Sequence, residues 1–381
     1  MTTIGIDIRM LARGNKTGIE EYTSGLLESM LPINSDIKFK LFYNGLCKKT
    51  LRYKWLQLAN VELVEFKIPN KLLDCSLRCG NFPKIDRMIG GVDKFFSPHI
   101  FLSATGPQCE KIVTFHDLSF EKYPEFYSSQ KNFWHLSMNP RQQAKKADKI
   151  IAVSHSTKQD LEELYGINPE KIQVIYSGLN SKITRKVLPQ EKIDAQKKYA
   201  LPENYILYLG TLEPRKNIIS LLYAFEKSKT TGDLKNSDFK LVIAGAKGWL
   251  YNDIFQTVQK FSSKKDIMFT GFIEEKDKAA LYAMSKLFVY PSFYEGFGFP
   301  PLEAMAQNTP VITSNISSLP EAVANAAITI NPSNTDELKK AMEKVLTDKK
   351  LSMHLTELGK ARVSEFEWKK CAKETLDFIL S

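Results

Sequence analysis

The sequence predicts an α/β protein made of two doubly wound domains, each built on a parallel sheet. Three observations carry this. Short β-branched runs alternate with longer helical patterns from end to end. The runs are apolar almost throughout, as in strands covered on both faces. The series also stops at a polar stretch, Leu179–Pro202, and then restarts. A length of 381 residues agrees with two to three domains at about 150 residues each.

The first series opens with a strand over Thr3–Arg9 (TIGIDIR) and, after a turn at Gly18, a helix over Ile19–Met30. Strands follow at Phe39–Tyr43, Val61–Phe66 and Lys94–Ser97. Lys111–Phe115 (KIVTF) runs into His116-Asp117. Lys149–Val153 (KIIAV) runs into Ser154-His155-Ser156, which caps a helix beginning near Thr157. Lys171–Ile175 ends at Ser177-Gly178. In the second series, Tyr205–Leu209 ends at Gly210, Phe239–Ala244 at Gly245, Asp266–Thr270 at Gly271 and Leu287–Tyr290 at Pro291. Pro310–Ser314 and Ala327–Ile330 complete it, and Ser364–Ser381 reads as an amphipathic helix containing Trp368. The domains are expected at residues 1–178 and 183–364. Ligands of open parallel sheets bind outside the carboxyl ends of the strands. Two such domains would naturally face one cleft with both sets of strand ends.

Composition narrows the function classes. The apolar fraction is 43% and the charged fraction 25%, ordinary for a folded soluble chain. No run of 18 apolar residues is present, and MTTIGIDIRM lacks the basic-then-apolar pattern of a signal peptide. Five cysteines, with Cys75 and Cys79 four apart but no second pair, read as reduced structural thiols in a cytoplasmic protein. The net charge is +10, from 53 basic and 43 acidic residues. Basic runs at Cys47–Trp55, Arg141–Lys149 and Ser181–Lys198 are either solvated surface or a match for anionic headgroups and polyanionic ligands. No nucleic-acid-binding motif accompanies them, so nucleic acid is not an expected partner.

Two motifs in the second half carry the chemistry. In GTLEPRKN (210–217) a strand ends in glycine and Arg215-Lys216 fall where a helix begins. A bidentate guanidinium beside an ammonium at a helix N-terminus suits a di-anion. In YEGFGFPPLEAMA (294–306), Glu295 and Glu303 flank Gly296, Gly298 and Pro300-Pro301. This reads as strand, glycine loop, helix, with loop amides turned to an anion and both carboxylates facing paired hydroxyls such as those of a sugar or ribose. In the first half, His116 ends a buried strand and either sits in the cleft, donating to a sugar hydroxyl or stabilising developing charge, or is a satisfied core histidine. Thr17-Gly18 opens the first helix and offers amides to a phosphate. Walker, zincin, nucleophile-elbow, dinucleotide and Asp-x-Asp patterns are all absent.

This combination resembles the retaining glycosyltransferases of family four, with the two-domain GT-B fold, over essentially the whole chain. Besides the two motifs above, SLPE (318–321) with AAITINP (326–332) carries the resemblance. TGIEEYT (17–23), HDLSFEKYPEFY (116–127) and VSHSTKQDL (153–161) are similar to the branch of bacterial O-antigen mannosyltransferases. The resemblance implies an acceptor-binding first domain and a second domain that binds the nucleotide sugar, with the helix over 365–381 crossing back onto the first. Arg215 and Lys216 would grip the donor diphosphate, with Arg215 supplying the charge that many relatives place directly after Gly210, where this chain has Thr211. Glu303 would hydrogen-bond the ribose hydroxyls, Leu302 would belong to the same donor-binding set, and Glu295 would hold hydroxyls of the transferred sugar. Amides of Gly296, Phe297, Gly298 and Phe299 would line the sugar and phosphate pocket. Gly18 would approach the diphosphate, His116 the sugar, and Phe272 and Ile273 the base.

The reaction implied is metal-independent hexosyl transfer with retention, using no cofactor. His116, Glu295, Arg215 and Lys216 carry it. GDP-mannose is the expected donor and a glycolipid or oligosaccharide of O-antigen assembly the expected acceptor. A peripheral contact with the inner membrane face is expected, helped by the basic runs and by aromatics such as Trp55. Replacing Glu295 or Lys216 by alanine is expected to abolish transfer and leave the fold intact. The alternatives are a UDP-, dTDP- or other NDP-sugar donor, a nucleotide-sugar 2-epimerase of the same shape, and a non-catalytic partner subunit.

Overall fold

The computed structural model describes residues 2–12, 18–45 and 51–381. Thr17, and Cys47–Thr50 of the first basic run, lie outside the described residues. The chain separates into two compact units. One comprises Met1–Leu118, Gln130–Gly178 and Phe366–Ser381, the other Ser119–Ser129 and Leu179–Glu365.

The first unit contains a seven-stranded sheet of β1 (Thr3–Asp7), β2 (Lys38–Asn44), β3 (Val61–Phe66), β4 (Lys94–Ser97), β5 (Glu110–Phe115), β6 (Lys149–Ala152) and β7 (Ile172–Val174). Its order is β3-β2-β1-β4-β5-β6-β7, parallel throughout. The second unit repeats the plan with six strands: β8 (Tyr205–Leu209), β9 (Lys240–Ala244), β10 (Ile267–Gly271), β11 (Leu287–Tyr290), β12 (Val311–Ser314) and β13 (Ile328–Ile330). Their order is β10-β9-β8-β11-β12-β13, again all parallel. Every residue of β8, β11 and β12 is buried. Helices cover both faces of such a sheet, and that is why these runs show no polar alternation. The edge strand β3 is less covered: it exposes Glu62 and Glu65, and its other residues are only partly buried.

Several element ends differ from the sequence reading for identifiable reasons. Arg9 leaves β1 because its guanidinium turns back onto Asp7, with Nη2 2.6 Å from Oδ2, and starts a short 3₁₀ turn. Ser154 caps the helix His155–Tyr165 by accepting from the Thr157 amide at 3.0 Å, so that helix starts two residues earlier than expected. The last helix begins only at Trp368. Trp55 is no exposed aromatic: it is 5% accessible and its ring stacks on Tyr53 at 4.8 Å.

The segment Ser119–Ser129, assigned by sequence to the first domain, groups with the second unit. Aromatic packing accounts for this. Tyr123 lies 5.9 Å from Tyr294, Phe126 stacks on Phe293 at 5.5 Å and Tyr127 on Trp249 at 5.7 Å. The Trp249 indole N–H also donates to the Phe126 carbonyl.

Within the first unit the helix Trp368–Leu380 packs on the helix Gly18–Met30 and buries Cys371, Ala372, Leu376 and Ile379. Trp368 sits where only glycines leave room. A Cβ on Gly25 would come 2.4 Å from its indole, and one on Gly178 would come 2.3 Å from its backbone nitrogen. Gly178→Ala is therefore expected to lower the free energy of unfolding in urea by about 1–3 kcal/mol, the scale of overpacking. Gly18→Ala adds a methyl that meets nothing within 4 Å and should leave stability within about 0.5 kcal/mol.

Candidate functional site

Strands β8 and β11 are far apart in sequence but neighbours in the sheet, at the point where the strand order reverses. The loops that leave their carboxyl ends are therefore brought together. The first carries Gly210–Asn217 and the second Pro291–Gly298, and the Phe293 amide donates to the Arg215 carbonyl at 2.9 Å.

Close backbone approach shapes the first loop. Gly245, with φ of 144°, lies so near β8 that a Cβ there would fall 1.9 Å from the Gly210 carbonyl oxygen. Leu212 exchanges backbone hydrogen bonds with Ala246 and Gly248 at 2.9 and 3.0 Å. Thr211 stays exposed. Arg215 and Lys216 do not open a helix, as the sequence suggested. They sit in a 3₁₀ turn, Pro214–Lys216, and Asn217 in a left-handed conformation separates them from the helix Ile218–Thr230. The Asn217 amide donates to the carbonyls of Pro291 at 3.1 Å and Pro332 at 2.7 Å, tying the loops after β8, β11 and β13.

Glu295 joins the two cations. Its carboxylate accepts from Lys216 Nζ at 2.6 Å and Arg215 Nη1 at 3.1 Å. Arg215 Nη2 and Nε also donate to Glu213 at 2.9 and 3.1 Å, and Nη1 to the Tyr294 carbonyl at 2.7 Å. Lys216 donates to the Tyr290 hydroxyl at 2.6 Å. Two acids thus balance two bases within one buried cluster. Burial works against the charge of Glu295, but Arg215 and then Lys216 outweigh it and hold the carboxyl at about 2. Burial, followed by the charge of Arg215, draws the Lys216 ammonium below the lysine range, against the pull of Glu295 and Glu213. At neutral pH Glu295 is a carboxylate that accepts hydrogen bonds and supplies no proton.

The backbone of Glu295 is fixed from both sides. Its amide donates to Ser317 Oγ at 3.0 Å, and Ser318 Oγ donates to its carbonyl at 2.8 Å. Gly296, Phe297 and Gly298 follow, and the helix Phe299–Ala306 starts with its prolines in the first turn. Gly298 adopts φ of 108°, and a Cβ there would meet Leu319 at 2.9 Å, so both its conformation and its neighbour favour glycine. Leu302 is fully buried. Glu303, expected to face a ribose, is 6% exposed and accepts from the buried Tyr282 hydroxyl at 2.8 Å. Ile273 is buried at the end of β10, whereas Phe272 stands 70% exposed beside it.

In the first unit Gly18 is the first residue of its helix. His116 leaves β5, its ring edge-on to Tyr22 at 4.8 Å and tilted on His99 at 5.7 Å. Its Nε2 lies 2.8 Å from the Pro98 carbonyl. A carbonyl only accepts, so Nε2 carries the proton. Burial lowers its basicity ahead of every other influence, which favours the neutral ring. Nδ1 is then an acceptor. Of the readings open for His116, this tautomer leaves Nδ1 able to accept from a hydroxyl and not to donate to one.

Sequence reasoning missed Glu213, Asn217, Tyr290, Tyr282, Ser317 and His99. Glu213 and Asn217 lay inside a motif already singled out, and their burial marks them only once the loops are folded. Among the described residues no group of three or more His, Cys, Asp or Glu could hold a metal ion, and no helix is long and apolar enough to cross a membrane. Asn217→Ala removes both carbonyl partners at once and should lower the unfolding free energy by about 2 kcal/mol, measured by urea titration.

The family Glycosyl transferases group 1 matches residues 189–362, and Glycosyltransferase Family 4 matches residues 81–182. O-antigen chain mannosyltransferase B of Escherichia coli is 30% identical over 284 residues, covering 74% of this chain and 71% of that protein. The serotype-specific mannosyltransferase WbdA of Escherichia coli is 32% identical over 288 residues, 74% of this chain but only 35% of WbdA, so the chain spans about a third of that relative. Among solved structures, sucrose-phosphate synthase of Thermosynechococcus elongatus superposes with a TM-score of 0.74 over 99% of this chain and 98% of its own, at 19% identity. With its two parallel-sheet units and these relatives, the chain belongs to the glycosyltransferases of family four, of the GT-B fold, on the branch of the bacterial O-antigen mannosyltransferases.

Proposed function

We propose that this glycosyltransferase moves mannose from GDP-mannose, with retention and without a divalent ion, onto a glycolipid or oligosaccharide of O-antigen assembly at the inner membrane face. The activity named for its relatives supports the sugar and the pathway class. The observation that carries the chemistry is the Glu295 carboxylate shared between Arg215 and Lys216.

Within the cluster the charges of Arg215 and Lys216 are balanced by Glu295 and Glu213. A diphosphate brings new negative charge to the same cations and competes with the carboxylates for them. Glu295 then turns its acceptor oxygens to hydroxyls of the sugar. The anomeric C–O bond breaks with its electron pair going to the diphosphate, the acceptor oxygen bonds to the same face, and its proton passes to the departing phosphate oxygen. Arg215 and Lys216 stabilise the charge that grows on the leaving group, an effect worth about 2.7–4 kcal/mol per aligned donor. In the same reading Gly210, Thr211, Leu302 and the amides of Gly296–Phe299 belong to the donor pocket, Glu303 hydrogen-bonds the ribose, and Phe272 and Ile273 flank the base.

Turnover of GDP-mannose on a membrane-extract acceptor should fall by roughly 10²–10³-fold in Lys216→Met and in Arg215→Lys, which keeps the charge and loses the fork. EDTA should leave it unchanged. Loss of turnover on chelation, an inverted product, or an epimerised sugar from donor alone would overturn the reading. Because Glu295 belongs to a buried ion cluster, its replacement is expected to cost stability as well as turnover. Its carboxyl titrates at about 2 in the folded chain, below its ordinary 4.5. The stability this contributes is present above about pH 4.5 and lost as pH falls toward 2. Glu295→Gln should lower the unfolding free energy at pH 7 by about 3 kcal/mol, with the gap to the parent closing between pH 4.5 and 2 in urea titrations at each pH.

A further inference from the structure

We propose that Tyr290 is a positioning residue for the transfer: its hydroxyl is the standing acceptor that aims the Lys216 ammonium at the donor's diphosphate. Tyr290 is the last residue of β11 and is 1% exposed. Its ring stacks on Tyr208 and on Phe288, each at 5.9 Å. Gly210 packs close to the same rings: a Cβ there would come 3.0 Å from the Tyr208 hydroxyl and 3.5 Å from the Tyr290 ring. The Tyr290 carbonyl is held as well, accepting from Thr313 Oγ1 at 2.8 Å. Close packing of this kind leaves the phenol one place to be. Packing alone does not call for its hydroxyl. Phe288, two residues earlier on the same face of β11, fills its place in the stack without one.

What the hydroxyl touches is Lys216. It accepts from Nζ at 2.6 Å, as close as Glu295 Oε1 does. Two of the three ammonium hydrogens are thereby directed, and tetrahedral geometry fixes where the third points. A lysine has no such geometry of its own, because its charge rides on a flexible four-carbon stem. The two acceptors differ in kind. Glu295 is an anion and offsets the lysine charge, whereas a phenol is neutral and leaves it intact. Burial, and after it the charge of Glu295, raises the Tyr290 phenol well above its ordinary value, so it remains a neutral hydroxyl. The two differ also in permanence. In the proposed reaction the diphosphate competes with Glu295, whose oxygens turn to the sugar. Tyr290 has no second task and stays on the lysine through that exchange. Lys216 therefore keeps one fixed partner at every stage, and that partner does not weaken its pull on phosphate.

The proposal rests on the reading of Lys216 as a diphosphate ligand, and its test separates the two. The full chain is titrated calorimetrically with GDP and with GMP, which lacks the outer phosphate. The parent should bind GDP at least about tenfold more tightly than GMP. Lys216→Met should remove most of that preference. Tyr290→Phe keeps the ring and its stacking, and should shrink the preference about fivefold while the affinity for GMP stays that of the parent. In the Lys216→Met background the same change should shrink it no further. Tyr205→Phe deletes another buried hydroxyl, one that donates to the Leu281 carbonyl at 2.6 Å, and should leave the preference unchanged. An unaltered preference in Tyr290→Phe, an equal fall for both nucleotides, or the same loss in the absence of Lys216 would overturn the proposal. An unaltered preference in Lys216→Met would instead overturn the donor reading beneath it.

Discussion

The buried contact of Glu295 with Arg215 and Lys216 is the constraint on which the second unit's chemistry depends. Its members stand 80 and 79 residues apart along the chain. They meet because β8 and β11 are hydrogen-bonded neighbours where the strand order changes direction. Removing charges from water is expensive, and each member makes the others tolerable in the interior. The acids offset the charge of two cations inside the protein, and the cations keep Glu295 ionised.

The hydrogen bonds around that contact make it rigid. Asn217 holds the loops after β11 and β13, Ser317 and Ser318 hold the Glu295 backbone, and Glu213 orients the guanidinium. Each of these fixes the backbone or side chain of a group in that contact. The segment Ser119–Ser129 adds an aromatic support next to Phe293 and Tyr294, directly before Glu295. In the first unit His116 is fixed in a similar way, by a carbonyl that dictates which ring nitrogen bears hydrogen.

Much of this was legible in the chain. Strand positions could be read because buried parallel strands must be apolar on both faces, and the glycines after them marked the strand ends. Some details were not. Arg9 reads as strand until its own aspartate turns it away. Trp55 reads as surface because it lies in a basic run, and only its stacking on Tyr53 and its burial show otherwise. Glu303 reads as a ligand contact from its spacing, and only the fold reveals Tyr282 beside it.

The sequence by itself determined the two parallel-sheet series, the two motifs that hold Arg215, Lys216, Glu295 and Glu303, and the family resemblance they carry. These depend on periodicity and local residue types, which a linear string retains. Tertiary structure alone decided which acid neutralises which base, that the cations sit in a 3₁₀ turn rather than at a helix start, and which proton His116 carries. It also decided that the Tyr290 hydroxyl meets Lys216. Those outcomes depend on distances between residues remote in sequence and on exclusion of water, and neither is encoded in spacing along the chain.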